Sequence, residues 1–111
     1  MRTEQLDSIP AGKKFICAKH IEYRSKHITS KTVLYAHGGS VTLFAFDKGM
    51  SDSGMNSLHD VLIQIVEGSA QIVFDDNQFM LHKDESFILP ADYSHTIYAP
   101  DRFKMIVTIL R

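Results

Sequence analysis

With 111 residues, the chain has room for one domain and one core. Its 44% hydrophobic and 23% charged residues exclude a disordered chain, and a formal net charge of -1 supplies no basic field for a phosphate backbone or an anionic membrane. Cys17 stands alone, which excludes an internal disulfide and a Cys-based zinc site.

In chain order, the N-terminal Met1-Arg2-Thr3-Glu4-Gln5 carries charge early and lacks the apolar stretch of a secretory signal, so a cytoplasmic location is expected. No apolar run approaches the length needed to span a bilayer. A short helix is expected near Thr3–Asp7 and nowhere else. Strands are predicted at Phe15–Ile21, Ile28–Ala36, Val41–Asp47, Val61–Glu67, Ala70–Phe74, Gln78–His82, Ser86–Leu89, Thr96–Ala99 and Phe103–Leu110. Each is short, rich in β-branched or aromatic residues, and bounded by Gly, Pro, Asp or Asn. Ala70, Ile72 and Phe74 share one face, as do Phe103, Met105, Val107 and Ile109. The stretches Val41–Phe46 and Val61-Leu62-Ile63 are apolar on both faces, which predicts cover inside and outside the sheet. Regular strands with almost no helix imply an all-β sandwich or barrel. With no helices to supply an outer layer, a homodimer is expected, a second copy covering the outer face.

The stretch from Gly49 to Pro100 resembles the two motifs of the cupin superfamily. The first of these runs Gly, five residues, His-x-His, three or four residues, Glu, six residues, Gly. Its closing strand and turn look like Val61-Leu62-Ile63-Gln64-Ile65-Val66-Glu67-Gly68. The second runs Gly, five residues, Pro-x-Gly, two residues, His, three residues, Asn. Here Pro90-Ala91-Asp92-Tyr93-Ser94-His95 holds the Pro and the His at that spacing. The resemblance implies an antiparallel jelly-roll β-barrel spanning 1–111 as one domain, with the motifs at about 49–100. It also implies a cavity into which His95 points.

The metal motif departs from the family. Val61 stands where the family has its ligating Glu. Met55 and Ser57 stand at the two His positions, or Gly54 and Asn56 with the longer spacing. Asp84 and Asp92 replace the glycines of the second motif, and Ala99 replaces its Asn. Of four family ligands only His95 remains, whereas a divalent transition metal needs about three protein ligands. No metal or other cofactor is therefore expected. Should a metal bind, the candidate set is His95, His59 and Met55, soft enough for copper.

The ligand-pocket candidates are His95, His59, Met55 and Tyr98. His59, before the Val61 strand, could swing toward the cavity mouth and meet His95, with His95 nearer to Met55 or His59 than to any carboxylate. Tyr98 could set a hydroxyl at the rim. Against these stand blander roles: His95 as a buried hydrogen-bonded imidazole, His59 and Asp60 as loop and turn residues, His82 facing solvent. Phe44, Phe46, Phe74, Phe79, Phe87 and Phe103 could line a pocket or simply fill the core. The first expectation is a barrel that binds a small organic molecule without metal. The alternative is a metal-dependent oxygenase or isomerase, or a metal-free isomerase using His95 with Tyr98 or Asp60. A domain that only oligomerises is the third class.

Overall fold

The computed structural model describes residues 9–53 and 58–111. The helix expected near Thr3–Asp7 and the candidate Met55 lie outside the described residues. The described chain forms eight strands: β1 (Ile28–Ala36), β2 (Gly39–Phe46), β3 (Ser51–Ser53), β4 (Val61–Phe74), β5 (Asn77–His82), β6 (Ser86–Leu89), β7 (His95–Tyr98) and β8 (Phe103–Leu110). All pairings are antiparallel, and the path runs β1-β2-β8-β4-β7-β3, with β5 and β6 also on β4. The fold is the expected jelly-roll barrel.

The long β4 organises it. The sequence reads as two strands, Val61–Glu67 and Ala70–Phe74, but the chain runs through Gly68 without a break. Its first half pairs with β8 and β6 and its second half with β5 and β7, so one strand serves both sheets. The crossing is made by a bulge between Ile65 and Glu67 and by Gly68 at φ 73°. A bulge and a left-handed glycine are the ordinary means of bending a strand from one sheet into another.

The core follows the predicted alternation. Ala70, Ile72 and Phe103 are fully buried and Met105 nearly so, and Phe46 stacks on Phe103 with centroids 4.6 Å apart. A second aromatic group joins Phe74, Phe79, Phe87 and Tyr93, with ring centroids 4.8–5.8 Å apart. The turns keep the family's geometry without its glycines. Asp84 and Asp92 sit at φ 72° and 67°, a left-handed region that Asp enters more readily than most residues.

The predicted strand Phe15–Ile21 is not one. The segment has a 3₁₀ turn at Cys17–Lys19 and no ladder partner. It lies across the outer face of the sheet, where Ile21 packs with Leu43 and Ala45, flanked by Ile9, Cys17, Tyr23, Val33 and Ile106. Its apolar residues are consumed by side-chain packing rather than by pairing. Part of the outer cover that a second copy was expected to provide therefore comes from the chain's own N-terminal arm.

Charged groups pin that arm. The Tyr23 hydroxyl donates to Glu67 Oε2 at 2.5 Å, and Lys104 Nζ donates to the Ala18 carbonyl at 2.6 Å. The Tyr23 ring lies between Arg102 and Lys104, 5.0 and 4.8 Å from its centroid. Burial, reinforced by the Glu67 carboxylate, pushes the Tyr23 phenol up, so it remains a donor throughout the physiological range. Asp47 closes the adjoining turn: Oδ2 accepts from Lys26 N at 2.7 Å and Oδ1 from Arg102 Nε at 2.8 Å. The Lys26 amide first, then the Arg102 guanidinium, hold the Asp47 carboxyl at about 2.

This depression gives an acid signature. The folded state holds the carboxylate more strongly than the unfolded chain, whose Asp titrates near 3.9. The stabilisation is present above about pH 4 and is lost as pH falls toward 2. Urea unfolding at pH 6, 4 and 2.5 should show Asp47→Asn less stable than the parent at pH 6 and converging with it at pH 2.5. A gap independent of pH would contradict the assignment.

Candidate functional site

Between the two sheets lies a partly open cavity of about 270 Å³. Phe44 from β2, Val61 and Ile63 from β4, and Leu89 from β6 form part of its wall. Met105, Val107 and Ile109 from β8 and Ile97 from β7 complete the apolar lining. Alternation explains the wall: residues at odd positions of β8 and of the first half of β4 point inward, and their neighbours point out. Two polar side chains also reach it, Asp52 from β3 and His95 from β7.

Register places these two together on one wall. Asp52 is the Cα partner of Ile97, and His95 lies two residues before Ile97 on the same face. They are thus diagonal neighbours across an antiparallel pair, a relation that brings side chains within reach of a common small group. Among the described residues, neither side chain has a hydrogen-bond or ion-pair partner in the protein. His95 is half-buried, because it also lines an outer groove with Val73, Asp75, Asp76, Tyr93, Ser94 and Thr96. The imidazole stands at the boundary between the interior and that groove.

The other candidates separate from His95. His59 lines a different depression on the outside, with Leu58, Asp60, Leu62, Ile88, Ala91 and Leu110. Asp60 Oδ1 accepts from Ala91 N at 2.9 Å, which joins that loop to the second motif and keeps it on the outer side. The two imidazoles line different concavities, and the polar neighbour of His95 on the cavity wall is a carboxylate. Tyr98 is one residue out of phase with Ile97 and so faces outward and exposed, away from the cavity rim. His82 is exposed and hydrogen-bonds Ser69 Oγ at 2.8 Å. Of the six phenylalanines considered, Phe44 lines the cavity and the others pack elsewhere in the barrel.

Asp52 is the residue that the sequence reading missed. Ser51-Asp52-Ser53 is too short and too polar to read as a strand, and the face of Asp52 is set only by pairing with β7.

The cavity was tested against the metal of the family motif. Val61 lines it at the family's Glu position, and among the described residues the lining holds one carboxylate and one imidazole. Among the described residues, no group of three or more His, Cys, Asp or Glu side chains is placed to hold an ion. That donor set falls short of the three protein ligands a transition metal needs.

The fold and its apolar, half-open interior define a small antiparallel barrel. No protein-family model and no curated protein matches the chain. Among solved structures, it is similar to a cupin superfamily protein from Desulfitobacterium hafniense, at 30% identity over 93% of this chain and 94% of that one, with a TM-score of 0.87. A cupin 2 conserved barrel domain protein from Leptotrichia buccalis aligns at 27% identity and a TM-score of 0.80, over 85% of this chain and 46% of that one. A Streptococcus pyogenes protein of unknown function shares the fold at 22% identity and a TM-score of 0.87, over 94% of this chain and 91% of that one. The chain belongs to the cupin superfamily.

Proposed function

We propose that the protein is a small-molecule-binding cupin that holds an apolar organic ligand in its barrel without a stoichiometric metal. The observation that carries this reading is the cavity: about 270 Å³, eight apolar side chains and two polar ones. Apolar cavities of roughly 150 Å³ take up benzene, so this one suits a substituted ring or a branched chain of similar size. The two-donor wall supports the metal-free reading over the oxygenase or isomerase alternative, in which His95 would act with His59 and Met55. Elemental analysis after chelator-free purification should find transition metal well below one equivalent, and native mass spectrometry should find an organic adduct. About one equivalent of metal, lost in His95→Ala, would move the enzyme reading ahead. A cytoplasmic location and the absence of nucleic-acid or membrane partners belong to the same reading. The net charge of -1, which supplies no basic field, supports the absence of those partners.

A homodimer is also part of it, on narrower ground than the sequence suggested. One cross-strand row, Leu34–Val41–Thr108–Leu62–Ile88, runs the full width of the five-stranded outer face beyond the N-terminal arm. Leu34 is 67% and Ile88 59% exposed, and Leu110 beside them 72%. Exposed Leu34, Ile88 and Leu110 on one face favour a partner surface, and a patch paired with itself about a two-fold axis covers both copies at once. Light scattering should give about twice 12.6 kDa, and Leu34→Lys with Ile88→Lys should reduce it to one chain. A parent protein of 12.6 kDa at micromolar concentration removes the dimer from the proposal.

A further inference from the structure

Among the features outside the barrel interior, the Tyr23–Glu67–Lys104 group is used in holding the arm, and the hairpin tip at Asp75-Asp76 is a pair of surface carboxylates. Among the described residues, Asp52 and His95 are polar side chains on the cavity wall without a hydrogen-bond or ion-pair partner, and they bear on what the cavity selects. Resting on the small-molecule reading above, we infer that the Asp52–His95 wall selects a small hydrocarbon bearing one hydrogen-bond donor, a hydroxyl or an ammonium group, and rejects carboxylates.

Three observations carry the inference. The first is composition: among the described residues no Lys or Arg lines the cavity, so an anionic headgroup would enter beside the Asp52 carboxylate without a lysine or arginine to pair it. Bringing like charges together in a mostly apolar space is unfavourable, and the anion would lose its water as well. The second is the free capacity of the wall. A carboxylate only accepts hydrogen bonds, whereas an imidazole can accept on one ring nitrogen. A donor group between them therefore has an acceptor on either side, a hydroxyl donating to one of them and an ammonium able to donate to both, and the bond to a carboxylate is of the stronger, charge-assisted kind. The third is placement. Both groups sit on the wall made by β7 and β3, so a ligand with its apolar body against Met105, Val107 and Ile63 can present only one end to them. One polar terminus on an otherwise apolar body is the shape this arrangement reads.

Asp52 here differs from the family's ligand positions, which fall at Met55, Ser57, Val61 and His95. The specificity assigned to it therefore belongs to this chain's own wall and is independent of any metal.

Four probes of one skeleton test it by isothermal titration: toluene, benzyl alcohol, benzylamine and benzoate. The expected order places benzyl alcohol and benzylamine about ten-fold or more tighter than toluene, from one charge-assisted hydrogen bond, with benzoate weaker than toluene. In Asp52→Asn the advantage of benzylamine over toluene, read as the ratio of the two affinities in the same protein, should fall several-fold. Asp52→Ser, read beside it, keeps the comparison open if one variant folds poorly. Toluene bound with no preference among headgroups, or benzoate bound best, overturns the donor selection and leaves the apolar cavity standing. Failure of all four probes to bind overturns the cavity reading and the inference with it.

Discussion

Gly68→Ala is expected to lower the unfolding free energy by about 3 kcal/mol or more, enough to lower Tm by roughly 10–20 °C. Two effects add. Gly68 sits at φ 73°, where an L-residue other than glycine costs about 1–2 kcal/mol. A Cβ there would also run into the Arg102 carbonyl oxygen and press on Phe103, whose Cα and Cβ would lie 3.1 Å away. Phe103 is fully buried and stacked on Phe46, so it has no room to retreat. The collision falls where β4 passes between sheets while still paired with β8, and relief would pull the two strands apart. Against a total stability of about 5–15 kcal/mol for a domain, that is a large fraction. Gly38→Ala is the control. Gly38 is not left-handed, and a Cβ there meets nothing within 4 Å, so thermal melts should place it within experimental scatter of the parent. Equal melts for Gly68→Ala and the parent would mean that β4 does not cross in this way.

The barrel was legible because its strands are built from alternating β-branched and aromatic residues whose period of two survives in the fold. Phe103, Met105, Val107 and Ile109 were assigned one face from sequence, and they all point inward. Phe15–Ile21 was misread because an apolar run is consistent either with a paired strand or with a segment lying over a sheet. Only the partner decides, and here the partner is the side-chain surface of Leu43, Ala45 and Ile106. The site was legible by half. His95 followed from its spacing to Pro90 within a motif, a local property. Asp52 did not, because three residues are too few to show alternation and its inward face depends on a strand more than forty residues away. Tyr98 and His59 were joined to His95 by closeness in sequence, whereas the alternation within β7 and the Asp60–Ala91 hydrogen bond send both outward. Local pattern sets which residues are apolar and inward. Long-range register sets which polar residues meet.

Val107→Phe is expected to abolish detectable toluene binding, or weaken it about 100-fold, while Tm stays level or rises. Val107 lies at the middle of β8, opposite Ile63 on β4 and Thr42 on β2, and lines the cavity with Phe44 and Ile97. A benzyl group in place of the isopropyl group would occupy the volume that the proposal assigns to the ligand's apolar body. In a core packed to native density such an enlargement costs about 1–3 kcal/mol. Where about 270 Å³ is available the added ring instead gains contacts that the cavity walls now lack. Stability and binding should therefore move apart, and that divergence is the diagnostic. Leu62→Phe, one position out of phase on β4 and facing the outer stripe, should leave toluene affinity unchanged. A marked loss of Tm in Val107→Phe would show that the interior is already full. Undiminished toluene binding in a stable Val107→Phe protein would place the ligand elsewhere, and the assignment of the barrel interior as the binding site would fall.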